Sequence, residues 1–206
     1  MLIGIDFDNT IVSYDTLFHK VAREQGAVPD TTPQNKVAVR DHLRTIGKED
    51  VWTEMQGYVY GARMDEAEAY SGVIDFFHWA RASGVSLCIV SHKTLHPFIG
   101  PKYDLHQAAR GWIETHLVDE QGPLIAPERV FFELTKEAKW HRIGVTGCTS
   151  FIDDLPEILL AGAFPGQVQR ILFDPESHHP SNGGLMRFGD WRGIRQHFER
   201  QCSPPN

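Results

Sequence analysis

The sequence has few cysteines, no long apolar run and no leader-like start. Cys88, Cys148 and Cys202 are its three cysteines in 206 residues, and no two of them form a C-x-x-C pair. A disulfide framework is therefore not expected, and reduced thiols in a cytoplasmic protein are the better interpretation. No apolar run approaches the ~20 residues that span a bilayer, and the first residues lack the basic and apolar segments of a signal peptide. These absences predict a soluble, cytoplasmic protein.

The sequence also lacks an excess of positive charge. Its formal net charge is -7, and an acidic chain does not broadly attract nucleic acid or anionic lipid. Apolar residues make up 41% of the chain, which is enough for one domain or for one core with an insertion. We therefore expect a small-molecule partner, with no nucleic acid and no membrane. The residues do not indicate an oligomeric state.

Short apolar runs alternate with amphipathic helical patterns along the chain. The runs lie at residues 2–5, 85–90, 130–132, 148–152 and 169–173. This alternation is typical of an α/β layer fold with a mainly parallel sheet. Ligands of such sheets bind beyond the carboxyl ends of the strands.

The first two apolar runs are separated by far more residues than one crossover helix needs. Between them, helical segments are interrupted by Gly and Pro. We interpret residues 13–70 as a small helical insertion standing over the carboxyl edge of the sheet. The core is then expected to comprise residues 1–12 and 71–206.

Ionisable and hydroxyl side chains follow several of the predicted strands. They are Asp6, Asp8, Ser91, Lys136, Lys139, Asp153 and Asp154. If the strands are parallel and adjacent, these groups converge at one edge of the sheet. Asp6 and Asp8 share a face in extended backbone, so either one carboxyl is protonated or a cation lies between them. Taken alone, the aspartates and Ser91 are as easily explained as turn or helix-cap residues, and a single lysine is a weak signal.

In this order, the set resembles the four motifs of the haloacid dehalogenase (HAD) superfamily. DFDNT corresponds to the first motif, Ser91 to the second, a lysine to the third and the acidic pair of FIDDLPE to the fourth. The resemblance implies a Rossmann-like three-layer core with a small helical cap after the first strand. It also implies an enzyme of the phosphatase branch, which hydrolyses phosphoric monoesters.

The resemblance assigns separate chemical roles to the two aspartates of DFDNT. Asp6 would attack phosphorus and form an aspartyl phosphate. Asp8 would protonate the leaving oxygen and then activate water. Because a halide leaving group needs no proton, the presence of Asp8 argues against a true dehalogenase.

The remaining motif residues are expected to bind the phosphate. Ser91 would donate a hydrogen bond to a phosphoryl oxygen, and His92 is a further candidate for substrate contact. A lysine would neutralise the developing charge. Lys139 is preferred to Lys136 because family members commonly place this lysine about one turn into the helix.

A magnesium ion is the cofactor that the resemblance implies. Its expected ligands are Asp6, Asp153 and the backbone carbonyl of Asp8, since Mg²⁺ prefers oxygen ligands. Asp154 and Thr10 would support the site, Asp154 through water or by orienting the lysine.

Several functions remain open from the sequence. The substrate is expected to be a small organic phosphate, such as a sugar phosphate or a nucleotide. Phosphoryl transfer to a second acceptor, as in a mutase, uses the same residues. A phospho-accepting receiver domain has its acidic pair and its phosphorylated aspartate in a different order, and a scaffold protein would not need every catalytic position filled.

Overall fold

The computed structural model describes residues 1–179 and 184–202. In chain order, the strands are β1 (Leu2–Ile5), β2 (Val12–Ser13), β3 (Glu68–Ala69), β4 (Ser86–His92), β5 (Val118–Asp119), β6 (Gly122–Pro123), β7 (Val130–Glu133), β8 (Ser150–Asp153), β9 (Gln169–Phe173) and β10 (Met186–Phe188). The helices are α1 (Asp15–Glu24), α2 (Lys36–Thr45), α3 (Glu49–Tyr60), α4 (Val73–Ala82), α5 (Leu105–His116), α6 (Lys136–Val145), α7 (Pro156–Leu159) and α8 (Trp191–Cys202). Within the described residues, no helix combines the length and the apolarity that crossing a membrane requires.

The chain divides into two compact units. The sheet unit comprises Met1–Ile11, Ala69–His92 and Leu117–Asn206. The helical unit comprises Val12–Glu68 and Lys93–His116.

The sheet unit is built on six parallel strands in the order β10-β9-β8-β1-β4-β7. β1 lies between β4 and β8, and its Ile5 pairs with Ile89 on one side and Ile152 on the other. All four residues of β8 are buried, as are the last three of β1. This burial explains why these strands are nearly continuous apolar runs rather than alternating ones.

Helices pack on both faces of this sheet. On one face, Leu172 of β9 joins a buried cluster that includes Ile143 of α6 and Leu159 of α7. On the other, the next residue, Phe173, lies 5.7 Å from Trp191 of α8 between ring centroids. Successive strand residues point to opposite faces, so both layers are supported by the same strands. The predicted α/β fold, a Rossmann-like three-layer core with a mainly parallel sheet, is confirmed.

The helical unit has an aromatic core. The Tyr14 and Tyr60 ring centroids lie 4.8 Å apart, and those of Phe18 and Trp52 lie 4.9 Å apart. α2 begins where the Asn35 side chain accepts a hydrogen bond from the backbone of Ala38 at 2.7 Å, which satisfies one of the free N–H groups of the first turn.

Helix α5 belongs to the helical unit, although the sequence prediction assigned its residues to the core. Its Leu105, Ala109 and Trp112 are buried at helical spacing. The Trp112 indole donates to the backbone carbonyl of Ala67 at 2.8 Å, which ties α5 to the end of the 13–70 segment. The helical unit is therefore larger than the predicted insertion because it includes Lys93–His116.

Candidate active site

The site is built at the carboxyl ends of the central strands. Asp6 directly follows β1, and Asp153 is the last residue of β8. Because Ile5 pairs with Ile152, the two aspartates lie side by side, and the backbone N–H of Asp6 donates to the Ile152 carbonyl at 2.9 Å. The backbone pairing of β1 with β8 is thus enough to bring the two carboxylates next to each other.

Lys139 joins these two aspartates. Its Nζ donates to Asp6 Oδ1 and to Asp153 Oδ2, both at 2.6 Å, and all three side chains are buried. The lysine is placed by α6, whose N-terminus is capped by Thr135: its Oγ1 accepts from the backbone of Ala138 at 3.1 Å. Short contacts between ionised partners are the stronger class of hydrogen bond.

Lys136, the other candidate lysine, lies elsewhere. Its Nζ donates to Glu157 Oε1 at 2.6 Å, and both side chains are substantially exposed. Of the two lysines that open α6, Lys139 is therefore the one that contacts the aspartates at the strand ends.

Burial and charge set the protonation of this group. Burial raises the pKa of Asp6 from 3.8 to about 7, although Lys139 acts to lower it; the charges of Asp153 and Asp8 raise it further. Burial alone would lower the pKa of Lys139, but Asp153 and Asp6 reverse that effect and raise it. The lysine therefore stays positively charged, and it is the group that favours ionised Asp6.

A third carboxylate completes the cluster. Oxygen atoms of Asp6, Asp153 and Asp154 all lie within 4.8 Å of one another, and among the described residues this is the group that could hold a metal ion. The backbone N–H of Leu155 fixes Asp153 Oδ1 at 2.9 Å, and Thr10 Oγ1 lies 3.4 Å from Asp154 Oδ1. Asp6 and Asp153 were predicted as metal ligands and Asp154 as a supporting residue, and this cluster contains all three carboxylates. The predicted contact of the metal with the backbone carbonyl of Asp8 stays a prediction.

The turn after β1 carries Asp8 and Thr10. Asn9 adopts a left-handed conformation with φ of 57°, which asparagine tolerates better than most residues. The backbone N–H of Ile11 closes the turn on the Phe7 carbonyl at 3.0 Å. Asp8 is partly buried, and its charge adds to the effects of burial and of Asp153 in raising the pKa of Asp6.

Trp191 was not expected at this site from the sequence, where it reads as a core residue of an amphipathic helix. Its indole N–H donates to the backbone carbonyl of Thr10 at 3.1 Å, and its side chain is fully buried. A buried indole still needs a hydrogen-bond acceptor for its N–H, and here the acceptor belongs to the turn that carries Asp8. Sequence spacing alone gives no signal for this contact.

Ser91 and His92 occupy the end of β4. Ser91 is buried, and it lies two residues beyond Ile89, the partner of Ile5, at the same edge of the sheet as Asp6. Burial lowers the pKa of His92, and the positive charge of Lys139 lowers it further. A hydrogen bond to the backbone of Leu134 acts in the opposite direction but does not outweigh burial. His92 is therefore a neutral imidazole at neutral pH.

No family model and no curated protein matches the sequence. Solved structures do match over nearly the whole chain. A HAD-superfamily hydrolase from Ehrlichia chaffeensis is 15% identical with a TM-score of 0.55, covering 98% of this chain and 97% of that one. A HAD family hydrolase from Deinococcus radiodurans R1 with bound phosphate and sodium is 17% identical with a TM-score of 0.54, covering 100% and 98%.

A protein described as a predicted phosphoglycolate phosphatase from Haemophilus somnus 129PT is 16% identical with a TM-score of 0.55, covering 96% and 97%. Dehalogenases are also among the matching structures. At these identities the likeness concerns the fold, and the neighbours are described as having more than one chemistry. The chain has the fold of the haloacid dehalogenase superfamily.

Proposed function

We propose that the protein is a magnesium-dependent phosphomonoester hydrolase that acts through an aspartyl phosphate on a small organic phosphate. The observation that carries this proposal is the placement of Asp6. Its carboxylate lies beside Asp153 and within 2.6 Å of the Lys139 ammonium, and a second aspartate, Asp8, follows two residues later. A nucleophile, a cation and a candidate proton donor are thus provided by residues of one unit.

The acidic cluster is suited to a hard cation. Asp6, Asp153 and Asp154 offer only oxygen ligands, which is the ligand type that Mg²⁺ selects. Three carboxylates face one lysine, so the cluster retains negative charge that a divalent cation would compensate. Bound there with the Asp8 carbonyl, Mg²⁺ would lower the repulsion between the carboxylates and an incoming phosphate.

In the first chemical step, a carboxylate oxygen of Asp6 attacks the phosphorus atom. The bond from phosphorus to the leaving oxygen breaks, and its electron pair stays on that oxygen. Asp8, which is protonated at this stage, donates its proton to the leaving oxygen, so the product departs as a neutral alcohol. Lys139 holds Asp6 in its ionised form and neutralises charge on the transferred group.

In the second step, a water oxygen attacks the phosphorus of the aspartyl phosphate. Asp8, now a carboxylate, takes a proton from this water. The bond from phosphorus to Asp6 breaks, and inorganic phosphate leaves with the Asp6 carboxylate restored. Ser91 is proposed to donate to a phosphoryl oxygen in both steps, and His92, the next residue of β4, is proposed to contact the substrate.

Dehalogenation is the main competing chemistry on this fold. It also uses an aspartate nucleophile, but a halide leaves without a proton, so it gives Asp8 no task as a general acid. A structurally similar protein from Deinococcus radiodurans was solved with bound phosphate and sodium, which supports phosphate as the ligand class. A mutase would share both steps with the hydrolase but would return the phosphoryl group to a second acceptor.

The test is turnover of a generic aryl phosphate by the full chain, with added Mg²⁺ and with EDTA. Activity is expected only with the metal. Asp6→Asn should abolish turnover, and Asp8→Asn should lower kcat by about 10²- to 10⁴-fold, the usual contribution of a general acid. Asp50→Asn, which makes the same change at an exposed position of α3, is the matched control.

Four outcomes would overturn the proposal. Metal-independent turnover, or turnover that survives Asp6→Asn, would contradict the assigned nucleophile and cofactor. Stoichiometric, long-lived phosphorylation without turnover would support a receiver-type switch. Halide release from a 2-haloacid, with no phosphate release from a panel of sugar phosphates and nucleotides, would assign the site to dehalogenation.

A further inference from the structure

Two buried thiols that the proposed chemistry does not use lie in contact within the sheet unit. Sγ of Cys88 and Sγ of Cys148 are 3.5 Å apart, and both cysteines are free thiols. Cys88 belongs to β4, and Cys148 lies in the turn between α6 and β8. A disulfide has an S–S length of about 2.05 Å, so the sulfurs would need to approach each other by roughly 1.5 Å.

Gly4 provides the space in which the thiols meet. It is the residue of β1 that pairs with Cys88. In the sheet, β1 lies between β4, which contains Cys88, and β8, which begins just after Cys148. A Cβ atom at position 4 would lie 2.8 Å from Cys148 Sγ and 2.6 Å from the Phe151 ring, both closer than real contacts allow. A glycine inside a strand costs stability. Here the lack of a side chain at position 4 leaves the space that the Cys148 thiol occupies.

The surroundings of the pair make the two thiols unequal. A hydrogen bond from Cys88 lowers the pKa of Cys148 to about 7, with Thr146 Oγ1 as a second neighbour at 3.3 Å. The same hydrogen bond, together with burial, raises the pKa of Cys88. Cys148 is therefore the more acidic thiol of the pair.

Access to Cys148 runs through its own turn. Gly147 and Thr149, the residues on either side of it, are both exposed, and Gly147 has a positive φ of 75°. Opening of this turn would bring the Cys148 sulfur to solvent, at the cost of the hydrogen bonds between Thr149 and Leu2.

We propose that Cys88 and Cys148 are a redox modification site that forms a reversible intramolecular disulfide on reaction with a hydroperoxide. The proposal rests on the contact between the thiols, the space left by Gly4 and the exposed turn, and it is independent of the phosphatase activity. Cys202 is exposed and is not part of the pair.

The chemistry proceeds in two balanced steps. The Cys148 thiolate attacks the terminal oxygen of the hydroperoxide, the O–O bond breaks, and the departing oxygen takes the electron pair and a proton from solvent. This leaves a sulfenic acid on Cys148. The Cys88 sulfur then attacks the Cys148 sulfur, the S–O bond breaks, and water leaves with the Cys88 proton. The two sulfurs together lose two electrons, which reduce the peroxide to an alcohol or water.

The experiment uses the full chain carrying Cys202→Ser, so that no exposed thiol forms intermolecular disulfides. The folded protein is treated with hydrogen peroxide, denatured, and alkylated with iodoacetamide. Mass spectrometry should show monomer lighter by two hydrogen atoms, with the Cys88 and Cys148 peptides joined and neither one alkylated. Dithiothreitol should restore both alkylated cysteines.

Single variants in the same background separate the two roles. Cys88→Ser should leave Cys148 trapped as a sulfenic acid that dimedone labels, whereas Cys148→Ser should leave Cys88 reduced. Gly4→Ala should slow disulfide formation, because its Cβ displaces the Cys148 thiol, and circular dichroism checks that this variant is folded. In the unmodified chain, oxidation of Cys202 shows that the peroxide has acted. If Cys202 is oxidised while Cys88 and Cys148 remain fully alkylated, or if their disulfide forms only after denaturation, the proposal is wrong.

Discussion

The contact of Lys139 with two buried aspartates leads to a quantitative prediction about stability. Lys139→Met keeps a side chain of similar length but removes the ammonium group, which lies 2.6 Å from a carboxylate oxygen of Asp6 and 2.6 Å from one of Asp153. Removing one partner of a buried ion pair leaves an uncompensated charge and costs about 3–5 kcal/mol. The Lys139 and Asp153 side chains are 2% and 0% exposed, so solvent does not offset this loss.

Lys136→Met is the matched control. It makes the same substitution three residues earlier in α6, where the Lys136 and Glu157 side chains are 42% and 62% exposed. An exposed ion pair of this kind contributes about 0–1 kcal/mol because water already solvates both partners. The free energies of unfolding of the two variants should therefore differ by about 2 kcal/mol or more.

Urea unfolding in EDTA measures the difference without compensation by a metal. With a slope of about 2 kcal/mol per molar urea, the midpoint of the Lys139→Met variant should fall by about 2 M, while that of Lys136→Met should barely move. Equal midpoints for the two variants would refute the argument that Lys139 balances the buried carboxylates. Adding Asp6→Asn to Lys139→Met should restore part of the loss, because one uncompensated charge is removed.

The decrease in the free energy of unfolding caused by Lys139→Met should also depend on pH. Burial already raises the pKa of Asp6 to about 7, and loss of the lysine removes the main influence that lowers it. A carboxyl group whose pKa is raised by folding binds more protons in the native state, so stability falls as pH rises through this range. The deficit relative to the wild type should therefore be smaller at pH 5 than at pH 8. A deficit that is constant with pH would mean that lost packing, rather than charge, causes it.

Three further predictions concern residues around the site and in the helical unit. Trp191→Phe removes the indole hydrogen bond to the Thr10 carbonyl and should lower kcat for the aryl phosphate while leaving its KM nearly unchanged; an unchanged kcat would contradict this positioning role. Thr135→Ala removes the N-cap of α6 and should lower the free energy of unfolding by about 1 kcal/mol in urea titrations, unlike the exposed Thr115→Ala. The hydrogen bond from Arg63 lowers the pKa of Glu66 to about 2, so its contribution to stability should be lost as pH falls from 4.5 towards 2; Glu66→Gln should flatten that part of the acid-unfolding curve.

The fold was largely predictable because apolar runs mark buried parallel strands. Each of the five predicted runs coincides with a strand of the sheet to within a few residues. The sixth strand, Met186–Phe188, was missed because it is short, only partly buried and at the sheet edge, where an arginine is tolerated and no apolar run forms. The apolar spacing of residues 105–116 predicts helix α5, but it gives no information on which unit buries the apolar face of that helix.

The edge of the sheet that carries the site was predictable for a different reason. Residues that follow parallel strands must meet at one edge, so Asp6, Ser91 and Asp153 could be grouped without knowing any distance. The preference for Lys139 over Lys136 came from the family resemblance. Two lysines three residues apart on one helix are chemically identical, and the sequence does not show which of their side chains points to the site. Lys139 and Ile143, four residues apart, are the buried residues of α6, so Lys139, not Lys136, lies on the face that reaches the aspartates.

The contribution of Asp154 shows where strand-end reasoning stops. Alternation along an extended chain directs neighbouring residues to opposite sides, which would exclude Asp154 from a site that contains Asp153. The strand ends at Asp153, however, and the backbone of Leu155 turns back onto the Asp153 carboxylate. That turn brings an Asp154 oxygen to within 4.8 Å of oxygens of Asp6 and Asp153, while the hydroxyl of Thr10 lies 3.4 Å from Asp154 Oδ1. The composition of the acidic cluster is thus decided by a turn just outside the sheet, which the two-residue repeat of a strand does not describe.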